Sequence, residues 1–408
     1  MDVDSKPLYN TTTRTASQRK TKIQPVNPIE AAITSWFATL PEELVETLGL
    51  SIEGLLVAAP RRWVVYSPML LLPSGSFAGI FLSPKLDVKH TNTLWTQILD
   101  RVGRKEGKGV LTHLAINSGI PLRMTKDEDE GENILRSPSG LIMLYGDFGP
   151  ALRPDHAPSA TDFAQAFWVR TKQNGITQVW APRYTMFSRG NVKEKARLLE
   201  FHNSRGPEQE EQDGQRVVGK EELRTRGAVD LYAGIGYFVF SYAKMGIGKV
   251  LGWELNPWSV EGLRRGAVAN GWGMRVVGEG EVWVGGEEKI VAFLEDNRRA
   301  AARLSAMDEG WSITHVNGGL LPTSEASWEM SLSLLGASGW LHLHENVGVE
   351  DVERRKVEIE DMFRGWLIKR EDERKANVVH VEFVKTFAPG VWHCVFDVYI
   401  RKPLAKHI

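Results

Sequence analysis

The 408-residue chain is 42% hydrophobic, 25% charged and 9% aromatic, which excludes a collagenous, coiled-coil or wholly disordered polypeptide. Fifty Lys+Arg against 51 Asp+Glu leave a formal net charge of -1, so binding to nucleic acid would have to rest on a local patch. A single cysteine, Cys394, can form neither an intramolecular disulfide nor a cysteine-rich zinc site, and it points to a reducing compartment.

The first residues, MDVDSKPLYNTTTRTASQRKTK, carry five basic and two acidic side chains and no apolar signal-peptide core. They read as an unstructured tail (1–27), although their Ser/Thr/Arg bias leaves a transit peptide open. Pro28 to Leu56 has helical apolar spacing (Ile33, Trp36, Leu40, Leu44, Leu48) and leads into the β-rich stretch RRWVVYSPMLLLP. The most apolar window, Val64 to Leu82, is broken by Pro68, Pro73, Gly75 and Gly79, so no membrane span is expected. NTLWTQILDRVG predicts a helix and GVLTHLAI a strand. The acidic runs 125–133 and 205–216 read as surface insertion and linker, dividing an N-terminal α/β domain (28–204) from a second domain (217–408).

After the linker, strand and helix alternate. The strands are AVDLY, VLGWEL, RVVGE, ITHVNGG and WLHLHENV; a charged helix then runs from about Glu350 to Arg370. Such alternation predicts a parallel sheet with helices on both faces. The last two strands, VVHVEFVKTF and WHCVFDVYIR, are joined only by APGV, too short for a crossover, and should form an antiparallel hairpin. A doubly wound sheet finished this way is the Rossmann-like class I S-adenosylmethionine-dependent transferase arrangement. Its cytoplasmic location is the expectation that the composition favours.

The sharpest local signal is Asp230-Leu231-Tyr232-Ala233-Gly234-Ile235-Gly236, a Gly-x-Gly turn between an apolar strand and a helix. Alone it could be no more than a tight turn. The next strand, however, ends at Glu254, roughly 20 residues on, where a carboxylate can accept from both ribose hydroxyls. Val239 stands where a dinucleotide fingerprint has its third glycine, which disfavours a pyrophosphate. Asn256 and Pro257 can start the next helix. Asp296-Asn297-Arg298 could meet an adenine edge or be a solvated cluster, and the stretch before it, GEGEVWVGGEEKIVAFLE, looks inserted. Arg170 to Glu200 holds seven basic and two acidic residues, with Trp180, Tyr184 and Phe187 interleaved, a mix suited to phosphate contact and base stacking or simply to a solvated face. His342 and His344 project from one strand face but lack a third ligand at metal spacing, so a structural or substrate-facing role is expected and no metal site.

DLYAGIGYF, the Glu254-to-Leu263 segment, Asp296-Asn297-Arg298, HVNGGLLPTSE, HLHENV and YTMFSRGNVKEKAR together resemble the tRNA wybutosine-synthesizing transferase family, in the branch that moves an aminocarboxypropyl group. That branch is related to the tRNA guanine-37 N1-methyltransferases. The resemblance implies transfer of the 3-amino-3-carboxypropyl group of S-adenosylmethionine to C7 of 4-demethylwyosine at position 37, in the anticodon loop of phenylalanine tRNA, releasing 5′-methylthioadenosine. It further implies a co-substrate site of Asp230, Tyr232, Gly234, Gly236, Glu254, Asn256, Asp296, Asn297, Asn317, Ser188 and Arg189, and RNA contacts from Arg189, Lys193, Lys195 and Arg197. Asn317-Gly318-Gly319-Leu320-Leu321-Pro322 offers no obvious base, so no catalytic residue is assigned. A guanine-37 methyltransferase and a non-catalytic tRNA-binding relative are the alternatives.

Overall fold

The computed structural model describes residues 27–77, 86–118, 123–124, 131–138, 140–151, 157–203, 218–307 and 310–402. Residues 1–26 of the expected tail and the linker 205–216 lie outside them, as does most of the acidic run 125–133. The helical spacing after Pro28 is divided into three helices, Pro28–Phe37, Glu42–Leu48 and Ile52–Val57. Pro41 and Gly49 separate them, and Gly49 has the left-handed φ of 59° that ends the second helix. With helix Val88–Glu106 they bury Trp36, Leu94, Trp95 and Ile98 against one small sheet. That sheet has the order β1 (Val64–Tyr66), β2 (Met69–Leu72), β3 (His113–Ile116), then Ile142–Tyr145. Between β3 and the latter, β4 (Arg123–Met124) and β5 (Gly131–Glu132) pair as a short ladder; Ile142–Tyr145 is β6. A hairpin, β7 (Val169–Gln173) and β8 (Ile176–Trp180), follows.

The strands of the larger sheet are β9 (Arg226–Asp230), β10 (Lys249–Trp253), β11 (Met274–Gly278), β12 (Ile290–Leu294), β13 (Ser312–Gly318), β14 (Gly339–Gly348), β15 (Lys375–Ala388) and β16 (Val391–Arg401). Their spatial order is β11-β12-β10-β9-β13-β14-β16-β15. Neighbours from β11 to β14 are parallel, while β16 runs antiparallel between β14 and β15, as the short APGV connection requires. One face is covered by helices Trp328–Leu334 and Val352–Lys369 through Trp328, Leu332 and Phe363; the other by Val192–Leu199, Val239–Met245 and Pro257–Ala269 through Leu198, Tyr242 and Leu263. Helix Val192–Leu199 thus packs on the large sheet although it precedes the acidic linker.

One expectation is corrected. The segment that looks inserted contains β12, the strand paired with β10, whereas RVVGE forms β11 at the sheet edge. Ile290, Val291, Ala292 and Phe293 are fully buried, as a strand flanked on both sides must be. No helix of the described residues is long and apolar enough to cross a membrane.

Candidate active site

The chain leaves β9 toward β10 on one side, while β13 lies on the other, so the loop after Asp230 opens at the point where strand order reverses. That crevice, beyond the C-terminal strand ends, is where doubly wound sheets bind ligands. Gly234 (φ 53°) and Gly236 (φ 91°) occupy the left-handed region, and a Cβ on Gly236 would fall 2.5 Å from Leu263 and 2.6 Å from Phe240. The loop is therefore held close against the helix below it.

Two carboxylates frame the loop. Glu254 accepts the Gly234 N–H at 2.8 Å through Oε2 and the Asn256 N–H at 2.8 Å through Oε1, tying the β9 and β10 loops together. Burial pushes its carboxyl up, and those backbone donors oppose the shift. Asp230 is fully buried; its Oδ1 accepts from the Tyr232 N–H and from Asn317 Nδ2, both at 3.2 Å. Its Oδ2 is buried without a partner, and burial raises the carboxyl to about 7. A buried, unpartnered carboxylate oxygen above a glycine cradle suits a cationic ligand group.

Asn297 donates to the Leu231 carbonyl at 2.9 Å, which sets it beside the same loop, while Asp296 caps the turn after β12 and pairs with Arg298 at 2.6 Å. Tyr232 is partly buried and contributes its N–H to Asp230. Asn256 differs from its expected role: its Oδ1 caps helix Pro257–Ala269 through the Trp258 N–H, and its Nδ2 donates to the Leu135 and Tyr184 carbonyls. All its side-chain donors are engaged by protein, so it joins the two halves of the chain rather than facing a ligand.

Ser188 and Arg189 lie across from the glycine loop. The hydroxyl of the partly buried Tyr237 donates to the Met186 carbonyl at 2.6 Å and accepts the Ser188 N–H at 3.0 Å, fixing the SRGN loop to the glycine loop. Arg189 is exposed and Lys193 pairs with Glu382 at 2.5 Å, its side chain 65% exposed. Lys195 and Arg197 depart from the expectation of RNA-facing cations. Lys195 is 3% exposed and donates to Gln173 and Gln178, burial drawing it down to about 8. Arg197 lies between two fully buried carboxylates, Glu194 at 2.7 Å and Asp397 at 2.6 Å.

Sequence reasoning missed two rows of buried polar side chains that cross the strands beneath the crevice. The deeper row runs His202, His315, His342, Asp397 through contacts of 2.9, 2.9 and 2.7 Å, and continues to Arg197. The upper row runs from Asp230 through Asn317 and His344 to His393. Strand alternation puts His342 and His344 on one face, but their partners sit on strands distant in the chain. Burial lowers His315 and His344 well below the usual histidine range. For Asp397, burial alone would raise the carboxyl; Arg197 and then His342 hold it well below the usual carboxylate range.

No protein-family model matches the chain. The tRNA wybutosine-synthesizing protein 2 of Schizosaccharomyces pombe is 41% identical over 349 residues, covering 83% of this chain and 72% of that protein. Its Saccharomyces cerevisiae namesake is 31% identical over 380 residues, covering 83% and 74%. Among solved structures, that of P. horikoshii TYW2 in complex with MeSAdo shares the fold at 20% identity, with a TM-score of 0.51 over 88% of this chain and 99% of that one. With two such relatives matched across most of their length, the chain belongs to the tRNA wybutosine-synthesizing protein 2 family.

Proposed function

We propose that the chain transfers the 3-amino-3-carboxypropyl group of S-adenosylmethionine to C7 of 4-demethylwyosine at position 37 of phenylalanine tRNA. The observation that carries the reading is the glycine loop of a family member, framed by Asp230 and Glu254 at the switch point of the sheet. In the transfer, the ring carbon attacks the γ-carbon next to the sulfonium. The new carbon–carbon bond forms as the carbon–sulfur bond breaks, 5′-methylthioadenosine leaves as a neutral thioether, and the ring gives up its C7 proton. Of the three electrophilic carbons on the sulfonium, the one in line with the nucleophile reacts, so alignment at about 3–3.5 Å decides the product.

Asp230, Tyr232, Gly234, Gly236, Glu254, Asp296, Asn297 and Asn317 are the residues proposed to hold the co-substrate, with Ser188 and Arg189 on the opposing loop. Glu254 uses one lone pair of each oxygen on a backbone N–H, which leaves the others for ribose hydroxyls. Arg189 and Lys193 are proposed for the tRNA backbone. Turnover of S-adenosylmethionine with phenylalanine tRNA carrying the tricyclic precursor, read by mass spectrometry, tests the reading. The expected products are 5′-methylthioadenosine and an aminocarboxypropylated nucleoside; S-adenosylhomocysteine with methylated guanosine would move the chain to the methyltransferase alternative.

A further inference from the structure

The upper polar row has a charge at each end. On β9 it begins at the Asp230 carboxylate; on β16 it ends at His393, whose register neighbour on β15 is Lys385. Its contacts are Asp230 Oδ1 to Asn317 Nδ2 at 3.2 Å, Asn317 Oδ1 to His344 Nε2 at 3.3 Å, and His344 Nδ1 to His393 Nε2 at 2.9 Å. Asp230, Asn317, His344 and His393 are at most 1% exposed. Burial keeps both histidines neutral, so each carries one ring proton.

With Asp230 ionised, the state that a bound ammonium favours, one arrangement satisfies every contact. An ionised Asp230 only accepts, so Asn317 must offer it Nδ2–H and turn Oδ1 toward His344. His344 then donates from Nε2 and accepts at Nδ1 from His393 Nε2–H. His393 Nδ1 is left as a lone pair, and it is the one ring nitrogen of the row without a partner. The reversed arrangement would put a proton on that nitrogen, as a buried donor with no acceptor. Lys385 is the register neighbour of His393, and a positive charge at that edge opposes a second proton on the ring and favours lone pairs over N–H groups that face it. Lys385 has no carboxylate partner among the described residues; its nearest polar contact is Ser188 Oγ at 3.5 Å, and its stem lies over Gly190, where a Cβ would come within 2.5 Å of it. The amide of Asn317 interrupts any proton path, so the row orients groups rather than conducts protons.

We propose that His344 and His393 are positioning residues, which hold the Asn317 amide toward Asp230 and so keep the second Asp230 oxygen aimed at the ammonium of the co-substrate's amino acid end, with Lys385 fixing the polarity of the row from the opposite edge. This rests on the reading of S-adenosylmethionine as co-substrate.

The test is calorimetric titration of the full chain and of His344→Leu, His344→Gln and Lys385→Met with S-adenosylmethionine and with 5′-methylthioadenosine, which lacks the amino acid end. His344→Leu should weaken S-adenosylmethionine at least tenfold and 5′-methylthioadenosine less than twofold. His344→Gln, whose amide N–H can replace Nε2–H, should recover to within about threefold of wild type. Lys385→Met should weaken S-adenosylmethionine selectively by about threefold. Equal weakening of both ligands, no weakening of either, or no recovery with Gln overturns the proposal. If His344→Leu does not fold, Lys385→Met decides, and unchanged discrimination between the ligands overturns it. A wild-type chain that binds no S-adenosylmethionine fails the co-substrate reading and the proposal with it, whereas normal wild-type binding with indifferent variants fails the positioning role alone.

Discussion

Glu254 accepts the N–H of Gly234 at 2.8 Å, so the residue that ends β10 holds the turn that follows β9. The same carboxylate accepts the Asn256 N–H, which makes it a strap between the glycine loop and the start of the next helix. Glu254→Ala removes both bonds and leaves two backbone donors to find water. Hydrogen bonds to a charged group contribute about 1.5–3 kcal/mol each. Affinity for S-adenosylmethionine should fall at least tenfold, with a lower thermal midpoint for the free protein. Glu254→Gln keeps one acceptor and should lie between; unchanged calorimetric affinity in Glu254→Ala would take the residue out of the site.

Gly236 and Gly271 separate the two penalties of replacing a glycine. Both have left-handed φ, 91° and 77°, but a Cβ on Gly236 meets Leu263 and Phe240 at 2.5–2.6 Å, whereas Gly271 has nothing within 4 Å. Gly271→Ala should cost about 1 kcal/mol, the strain alone. Gly236→Ala adds overpacking and should cost about 2–4 kcal/mol. Denaturant midpoints compare them, and equal costs would mean that the helix below the loop yields freely.

Much of this site is legible in the sequence because its signals are local. Asp230, Gly234, Gly236 and Glu254 lie within one strand-turn-helix-strand unit, and the final hairpin follows from a connection too short to cross over. β12 is hidden by the Gly/Glu-rich stretch before it, which reads as a loop although five apolar residues close it. The inward turn of Lys195 and Arg197 cannot be read from charge. Helix Val192–Leu199 buries Glu194, Lys195 and Leu198, and the carboxylate that holds Arg197 inside is Asp397, 200 residues later. His315 and His393 likewise acquire meaning only when β13, β14 and β16 are brought side by side.

The basic segment therefore divides into two kinds of cation. Arg189→Ala and Lys193→Ala should lower tRNA affinity and flatten its dependence on salt, by roughly 0.7–0.9 of a log–log slope unit for each phosphate that the variant no longer neutralises. Lys195→Ala should leave the slope unchanged and lower stability, since it strands Gln173 and Gln178. A reduced slope for Lys195→Ala would mean that the helix turns outward on binding RNA.

Arg197 is the single guanidinium between the buried carboxylates of Glu194 and Asp397. Removing one partner of a buried pair costs about 3–5 kcal/mol, because the remaining charge stays in a medium that solvates it poorly. Arg197→Met should therefore unfold at markedly lower denaturant. The folded Asp397 carboxyl titrates below its unfolded value, so its contribution is present above about pH 4 and is lost as pH falls further. Asp397→Asn should flatten the acid limb of the stability profile, and an unchanged limb would show that other carboxylates control acid unfolding.

Asp230 has the opposite sign. Its carboxyl is raised to about 7 in the folded chain, against about 3.9 when unfolded, so between those values the folded state binds the extra proton. Stability from this group is full below about pH 4 and declines by up to about 1.4 kcal/mol per pH unit through about pH 7, levelling off by about pH 8, where ionisation is nearly complete in both states. Asp230→Asn removes that decline, and the free protein at pH 8 should gain on the order of 1–3 kcal/mol in denaturant unfolding. The same substitution removes the acceptor for a cationic ligand group, so affinity for S-adenosylmethionine should fall more than tenfold: the group that costs stability is the one that binds. In the wild type, a bound ammonium favours the ionised carboxylate, so binding near pH 6.5 should release a proton. The calorimetric heat should then vary with the ionisation enthalpy of the buffer, and that variation should vanish in Asp230→Asn. Heats that are independent of buffer in the wild type would mean that no cation reaches Asp230.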